Sequence, residues 1–435
     1  MNAAPHEKKR FVASHQTTGH RTDHKDAALK DTQIFNLIHE EQLRQERTID
    51  LIASENYTSK EVMLATGSVL TNKYAEGYHG ARYYEGCQVV DKIEHIAIER
   101  CKQLFGCQFA NVQPHSGSNA NMAVYAALIK PGDTIMGMSL ADGGHLTHGH
   151  KVNFSGKIYK VVQYTVDPQT GLLDYEVIQK MAEEHKPNII VAGASAYSRT
   201  IDFERFGAIA KKVGAYFMAD IAHIAGLVAT DLHPNPFPHA DVVTSTVHKT
   251  LRGARGGLIM TNNATIAAAI DKEVMPGTQG GPLLHSIAGK AVAFLEALQP
   301  EFKQYQQQVI KNSQCFAQAL QKRGYKIVSG TSDNHLFIVD LTDKGISGQA
   351  ASKALEQAGI ITSKSCVPND SRKQWIGSGV RIGTPALTTR GMKEKEVEQI
   401  AAWVDTVIQH HDDLKMLDEI RTAVENLCAA FPIYS

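Results

Sequence analysis

Three short segments carry side chains whose types and order suggest covalent amine chemistry. The first is Ser116-Gly117-Ser118-Asn119-Ala120-Asn121, at the start of a predicted helix. Small residues at a helix N-terminus expose backbone N–H groups and add hydroxyl donors, which together make a phosphate seat. Taken alone, the same residues are an ordinary helix cap containing glycine. The second segment, Ala215-Tyr216-Phe217-Met218-Ala219-Asp220, is a strand that ends in an acid and runs on into Ile221-Ala222-His223. An aspartate at a strand's carboxyl end points into the ligand crevice of a parallel sheet; it also suits a helix N-cap. The third, Val242 to Thr250, is a β-branched strand that delivers His248 and Lys249 to the same edge, with Arg252, Gly253, Arg255, Gly256 and Gly257 beyond it. A lysine at the end of a buried strand loses hydration, which lowers its pKa and makes the amine a nucleophile. The plain alternative is a solvated loop lysine.

Together the three mean more than each does alone. A phosphate seat, then an acid, then a lysine 29 residues after the acid is the order expected of a pyridoxal 5'-phosphate site on a mostly parallel sheet. The phosphate sits on the helix terminus, the acid keeps the pyridine nitrogen protonated, and the lysine forms the Schiff base. An amino-acid substrate also needs a clamp for its carboxylate. Ser378-Gly379-Val380-Arg381-Ile382-Gly383-Thr384-Pro385 offers one, because arginine's planar fork binds a carboxylate through two parallel hydrogen bonds. The alternative is a surface salt bridge of small worth.

The elements that must position these residues alternate along the chain. Strands are expected at 133–138, 158–164, 188–193, 215–220, 241–247 and 257–261, with helices at about 118–129, 174–184 and 203–212 between several of them. Strands with intervening helices indicate a largely parallel sheet covered on both faces. Upstream, Ile34, Leu37, Ile38 and Leu43 are spaced for a short amphipathic helix, and 89–105 reads as another that Gly106 ends. From Pro282 to about Arg323 the pattern is long and helical, broken near Pro300. Strands at 325–328 and 335–341, then helices at 349–357, 393–410 and 412–429, predict a smaller C-terminal α/β domain. The expected division is a disordered tail over 1–28, an N-terminal arm over 29–55, a large domain over 56–300 and a small one over 301–435.

Composition narrows the function classes. With 435 residues, 43% of them hydrophobic and 21% charged, the chain can bury a large core. Lysine plus arginine equals aspartate plus glutamate at 45 each, which excludes binding to nucleic acid or a membrane surface through bulk charge. Apolar runs such as the one ending in Ile189-Ile190-Val191-Ala192 fall short of the ~18 residues a membrane span needs. The cysteines Cys87, Cys101, Cys107, Cys315, Cys366 and Cys428 form no C-x-x-C pair, so free thiols in a reducing, cytoplasmic setting are expected. Residues 1–28 lack the apolar core of a signal peptide, and Glu7 and Asp23 count against a transit peptide.

Beyond these segments the chain carries Leu51-Ile-Ala-Ser-Glu-Asn-Tyr57, Thr71-Asn-Lys-Tyr-Ala-Glu-Gly-Tyr78, Asn111-Val-Gln-Pro-His-Ser-Gly-Ser118, Gly143-Gly-His-Leu-Thr-His-Gly149, Ser195-Ala-Tyr-Ser198 and Gly277-Thr-Gln-Gly-Gly-Pro282. With the Asp220, Lys249 and Arg381 segments, this set resembles the serine hydroxymethyltransferase family from about Gln33 to Ser435. The resemblance implies an α/β fold of type I among pyridoxal phosphate enzymes, with a mostly parallel seven-stranded sheet. It implies reversible transfer of a hydroxymethyl group from L-serine to tetrahydrofolate, giving glycine and 5,10-methylenetetrahydrofolate. Lys249 then holds the cofactor, Asp220 pairs with its pyridine nitrogen, and His145 stacks on its ring. His223 lies near its phenolic oxygen, Ser195 faces it, and Ser116, Gly117 and Ser118 take its phosphate; His248 joins the catalytic set. Arg381 grips the substrate carboxylate with help from Ser54. Glu76 handles protons at the serine hydroxyl and at folate, beside Tyr74 and Tyr84. In the family these three and the Gly280-Gly281 loop reach across from a second subunit, so the resemblance implies a homodimer with shared sites. The implied folate contacts are Leu140, Gly144, Leu146, Tyr83 and Arg372, Lys373 and Gln374.

Three positions depart from the family pattern: Glu85 where glycine is common, Asp142 where histidine is common, and Ser365 in place of asparagine. They bear on folate affinity and leave the cofactor residues untouched. His145, His148 and His150 suggest a metal cluster, but ring stacking already accounts for His145, so no metal is expected. Rival readings are a pyridoxal phosphate aldolase or an α-methylserine hydroxymethyltransferase with weak folate dependence and, in another class, a catalytically silent protein that binds RNA. The intact lysine, aspartate and arginine argue against the last.

Overall fold

The computed structural model describes residues 30–434. The tail expected to be disordered, 1–28, lies outside the described residues. The first helix, Thr32–Arg47, is 16 residues long, longer than the short helix its four apolar positions predict, and none of its residues is buried.

The chain then builds a seven-stranded sheet in the spatial order Phe109–Asn111, Gly257–Thr261, Val242–Thr246, Tyr216–Asp220, Ile189–Ala192, Thr134–Met138, Lys160–Tyr164. All pairings are parallel except those of Gly257–Thr261, which runs antiparallel to both neighbours. Six of these strands match the expected ones to within two residues. The seventh, Phe109–Asn111, spans only three residues and is half-exposed at the sheet edge, too short to give a periodic signal. Successive side chains serve opposite faces: Ile189 and Val191 join one apolar cluster, Ile190 and Ala192 the other.

The covering helices show their sequence logic. In Phe203–Val213 the residues Phe203, Phe206, Ile209 and Ala210 are buried at helical spacing. The Asp202 side chain accepts from the Arg205 N–H at one end, and Gly214 closes the other. Gly106 ends Gln88–Phe105 as expected, at φ 69, a left-handed conformation that favours glycine.

A further apolar cluster, separate from the two on the faces of that sheet, joins Ile49 and Leu51 to residues between Phe316 and Cys428. It packs a four-stranded antiparallel sheet, ordered Lys326–Ile327, Leu336–Asp340, Gly379–Gly383, Ser363–Ser365. The long helical stretch breaks at Gln299 into Leu284–Ala297 and Pro300–Gln321, with Pro300 in the first turn, where its missing N–H costs nothing. Along that second helix Phe302 belongs to a cluster of the seven-stranded sheet and Phe316 to this further one.

One buried cation ties chain ends together. Arg390, 7% exposed, donates to the carbonyls of Gln45, Glu46, Thr48, Cys428 and Phe431 at 2.9 to 3.3 Å. Replacing it by methionine removes the guanidinium donors from all five carbonyls. Arg390→Met is therefore expected to cost on the order of 3 to 5 kcal/mol in chemical denaturation. A loss under ~1 kcal/mol would mean that the carbonyls find water instead.

Candidate active site

Strand ends Asp220 and Thr246, the N-terminus of the Gly117–Leu128 helix and Arg381 of the second sheet converge on a cavity of about 470 Å³. The helix begins as the sequence reading requires. Ser116 is its N-cap, with its Oγ accepting from the Asn119 N–H at 3.2 Å. The Gly117 and Ser118 N–H groups have no acceptor within the helix, and both residues line the cavity. Gly117 permits this approach, because a Cβ there would lie 2.7 Å from the Thr246 methyl group.

Asp220 is held ionised. Burial pushes its carboxyl up, but hydrogen bonds from His148 and Asn121 outweigh this and hold it well below the usual range. Its Oδ2 accepts from His148 Nε2 at 2.9 Å and Asn121 Nδ2 at 3.0 Å, and its Oδ1 from the Ala222 N–H at 3.1 Å. The His148 tautomer follows from its other nitrogen. Nδ1 accepts from the His145 N–H at 3.2 Å, so the ring proton sits on Nε2 and is donated to Asp220.

A similar chain fixes His145. Asn121 Nδ2 donates to Thr147 Oγ1 at 2.7 Å, which frees that hydroxyl to donate to His145 Nδ1, also at 2.7 Å. Burial and the neighbouring His148 lower the His145 pKa to about 4, so the ring is neutral and presents a flat apolar face to the cavity. His223 is buried, its Nδ1 3.2 Å from His335 Nε2, and burial with the Lys249 charge keeps it neutral.

Lys249 is lowered to about 8, chiefly by burial, with the Asp220 charge opposing. An amine with that pKa supplies free nucleophile near neutral pH. Arg381 donates to the Ser195 carbonyl at 2.6 Å and to Ser363 Oγ at 3.3 Å. Among the described residues it has no carboxylate partner, and it lines the cavity, so its remaining N–H groups are available there. Ser54, Ser195 and His248 also line the cavity.

Other expected site residues lie elsewhere. Tyr74, Glu76, Tyr84, Gly280 and Gly281 gather with one another, away from the cavity lining of their own chain. Tyr84 Oη donates to Glu76 Oε2 at 2.9 Å; a Cβ on Gly281 would touch the Tyr74 ring at 3.0 Å, and one on Gly280 would lie 3.1 Å from Glu76 Oε1. Tyr83 and Leu146 are exposed. Leu140 lines a small separate recess that also holds Asp142 and Ser365, two of the departing positions. Gly144 packs beneath it, where a Cβ would clash with the Met138 carbonyl at 2.1 Å. Arg372 is tied to the Ile346 carbonyl and Ser378 Oγ, and Lys373 lies 5.2 Å from the centre of the exposed Trp375 ring; Gln374 is exposed between them.

Sequence reasoning missed Asn121, His148, Thr246, Arg255 and His335. Of these, His148 was visible only as one of three clustered histidines. Among the described residues no group of three metal-ligating side chains converges.

The residues present fit pyridoxal 5'-phosphate. They offer an amine of lowered pKa, an ionised acid with lone pairs to spare, a phosphate seat and a neutral ring face. Asn121 Oδ1 and His248 Nδ1 are also buried without a hydrogen-bond partner among the described residues, and both belong to residues lining the cavity.

A family model described as serine hydroxymethyltransferase matches residues 27–404. The chain is 58% identical over 406 residues to the serine hydroxymethyltransferase of Legionella pneumophila strain Corby, covering 93% of this chain and 97% of that one. It is 56% identical to the serine hydroxymethyltransferase of Alkalilimnicola ehrlichii and to serine hydroxymethyltransferase 1 of Pseudomonas aeruginosa, with the same coverage.

The lowered lysine pKa gives a pH dependence of definite sign. The neutral fraction of Lys249 grows as pH rises through about 8, so capture of added pyridoxal phosphate by cofactor-free protein, followed by absorbance, should accelerate across that value and then level off. Acceleration continuing to the ordinary lysine range, about 10.4, would contradict the burial argument.

Proposed function

The chain belongs to the serine hydroxymethyltransferase family, and we propose that the residues gathered on the cavity divide that family's work as follows. The reaction is the reversible transfer of the hydroxymethyl group of L-serine to tetrahydrofolate, with pyridoxal 5'-phosphate as cofactor. When bound, the cofactor supplies an aldehyde that captures amino groups and a ring that withdraws electrons from the substrate. Lys249 would hold the cofactor through its aldehyde group. Asp220 keeps a proton on the pyridine nitrogen, a task it can perform because it stays ionised. Ser116, Gly117 and Ser118 take the phosphate, and the neutral His145 ring lies on one face. His223, kept neutral, offers a hydrogen bond near the phenolic oxygen without adding charge. Arg381, with Ser54 beside it, binds the substrate carboxylate and fixes which end of the amino acid enters. The observation that carries this reading is the meeting of Lys249, Asp220, the Ser116 helix terminus and Arg381 on one cavity.

The Glu76 group supports a site completed by a second copy of the chain. Glu76, Tyr74, Tyr84, Gly280 and Gly281 form a unit of their own, and a two-fold partner would bring that unit to the cavity. There Glu76, hydrogen-bonded by Tyr84, would move the proton of the serine hydroxyl. The recess with Leu140, Asp142 and Ser365 is our choice for part of the folate surface. For domain organisation, the separate apolar clusters of the two sheets support a large part up to about residue 300 and a small part after it. A cytoplasmic location is supported by six free cysteines and by the bacterial relatives; no helix among the described residues is long and apolar enough to cross a membrane.

Three measurements test these assignments. Arg381→Ala should retain the cofactor but raise the serine KM about 100-fold, the loss of two charge-assisted hydrogen bonds; an unchanged KM would remove Arg381 from the clamp. Mixing Lys249→Ala with Glu76→Gln protein after subunit exchange should restore activity to about a quarter of wild type, since hybrid dimers hold one intact site. No recovery would place Glu76 in the same chain's site or outside catalysis. Serine cleavage should depend strongly on tetrahydrofolate, and equal rates without it would favour an aldolase.

A further inference from the structure

We propose that Lys290 is a positioning residue that clamps the backbone leading into the phosphate seat, and so sets cofactor affinity from outside the cavity. The inference rests on the reading of Ser116 to Ser118 as that seat.

Lys290 lies on the Leu284–Ala297 helix and is 1% exposed. Its ammonium donates to the carbonyls of Val112, Pro114 and Gly257 at 2.7, 3.2 and 3.0 Å. An ammonium has three donors, and all are used on main-chain oxygen. No carboxylate is hydrogen-bonded to it; the titratable groups facing it are Glu94, Cys101, His115 and His248. A buried lysine with no salt-bridge partner is costly, so its carbonyl contacts must offset much of that cost.

The three carbonyls belong to the two segments that frame the seat. Val112 and Pro114 lie on the connection that enters the Gly117–Leu128 helix, four and two residues ahead of Ser116. Gly257 opens the antiparallel strand beside it, and the Gly257 N–H also donates to the Pro114 carbonyl at 2.9 Å. Because the peptide unit is planar, holding the Pro114 carbonyl orients the His115 N–H on the other side, where it donates to Gln279 Oε1 at 2.9 Å. The fit is tight: a Cβ at Gly257 would lie 2.3 Å from the Ser116 carbonyl, and one at Gly256 would lie 2.2 Å from Lys290 Cε. Lys290 therefore fixes the path by which the chain reaches Ser116, and with it the direction of the first-turn N–H groups. It touches neither cofactor nor substrate.

The test measures cofactor-free protein as well as loaded enzyme. Lys290→Met is expected to weaken pyridoxal phosphate binding at least about 10-fold in an absorbance titration, the loss of one or two of the clamp's hydrogen bonds. It should also abolish the rise in thermal midpoint that inorganic phosphate gives cofactor-free wild type. Lys290→Gln, which keeps two donors, should fall between the two and serves if the methionine variant does not fold. A purely structural lysine would lower the midpoints of cofactor-free and loaded protein equally and leave the dissociation constant within twofold; that result overturns the proposal. Ser118→Ala separates the two levels of the argument. If it weakens binding while the Lys290 variants do not, the clamp fails and the seat stands. If Ser118→Ala and both Lys290 variants leave binding unchanged, the seat itself is misassigned.

Discussion

The site depends on a carboxylate kept charged inside a protein. Asp220 ends a strand in the middle of the sheet, where an isolated anion would take up a proton. Three donors prevent this, and each comes from a different element: Asn121 from the helix that begins at the seat, His148 from the turn after the Thr134–Met138 strand, and Ala222 from the connection after Asp220 itself. The same network sets the neighbouring rings. His148 can donate to Asp220 only because its other nitrogen accepts from the His145 backbone, and Asn121 reaches both Asp220 and Thr147. One negative charge therefore dictates the tautomer of His148, while burial and the neighbouring His148 keep His145 neutral against that charge.

The opposite problem arises at the cations. Lys249, Lys290 and Arg381 are all recessed, and none has a carboxylate within hydrogen-bond distance among the described residues. Lys249 and Lys290 both give up part of their charge, with pKa lowered to about 8 and about 7, and on the cavity side the lowered pKa of Lys249 makes it a nucleophile. Lys290 spends all its donors on carbonyls. Arg381 uses two contacts and keeps the rest of its fork for an incoming anion. Three buried basic groups thus serve covalent, architectural and recognition ends through differences in their surroundings alone.

Much of the fold was legible because its signals are local. Short apolar and β-branched runs marked six of the seven sheet strands, and Gly106 sits where its helix must stop. The Phe109–Asn111 strand was not legible, since three residues carry no period, and its pairing is decided by the Gly257–Thr261 partner. In the site, Lys249, Asp220 and Ser116 announced themselves by sitting at or just past the ends of strands or at the start of a helix, and Arg381 by being the cation of a glycine-flanked strand. His148 did not: beside His145 and His150 it suggested a metal, and its contact with Asp220 needs the tight turn Leu146–His148 to carry it beneath the strand end. Lys290 gave no signal, because in sequence it is one of several polar residues, with His285, Ser286 and Glu296, scattered along a mostly apolar helix.

What the sequence by itself determined is which groups reach the sheet edge and in what order, because strand period, helix caps and turn residues act over a few neighbours. What only the tertiary structure decided is their charge state and direction. Those depend on water being removed and on partners far away in the chain: Asn121 and Asp220 are 99 residues apart, Lys290 and Val112 178. No local pattern encodes such pairings, and electrostatics in a dry interior changes with each ångström of separation.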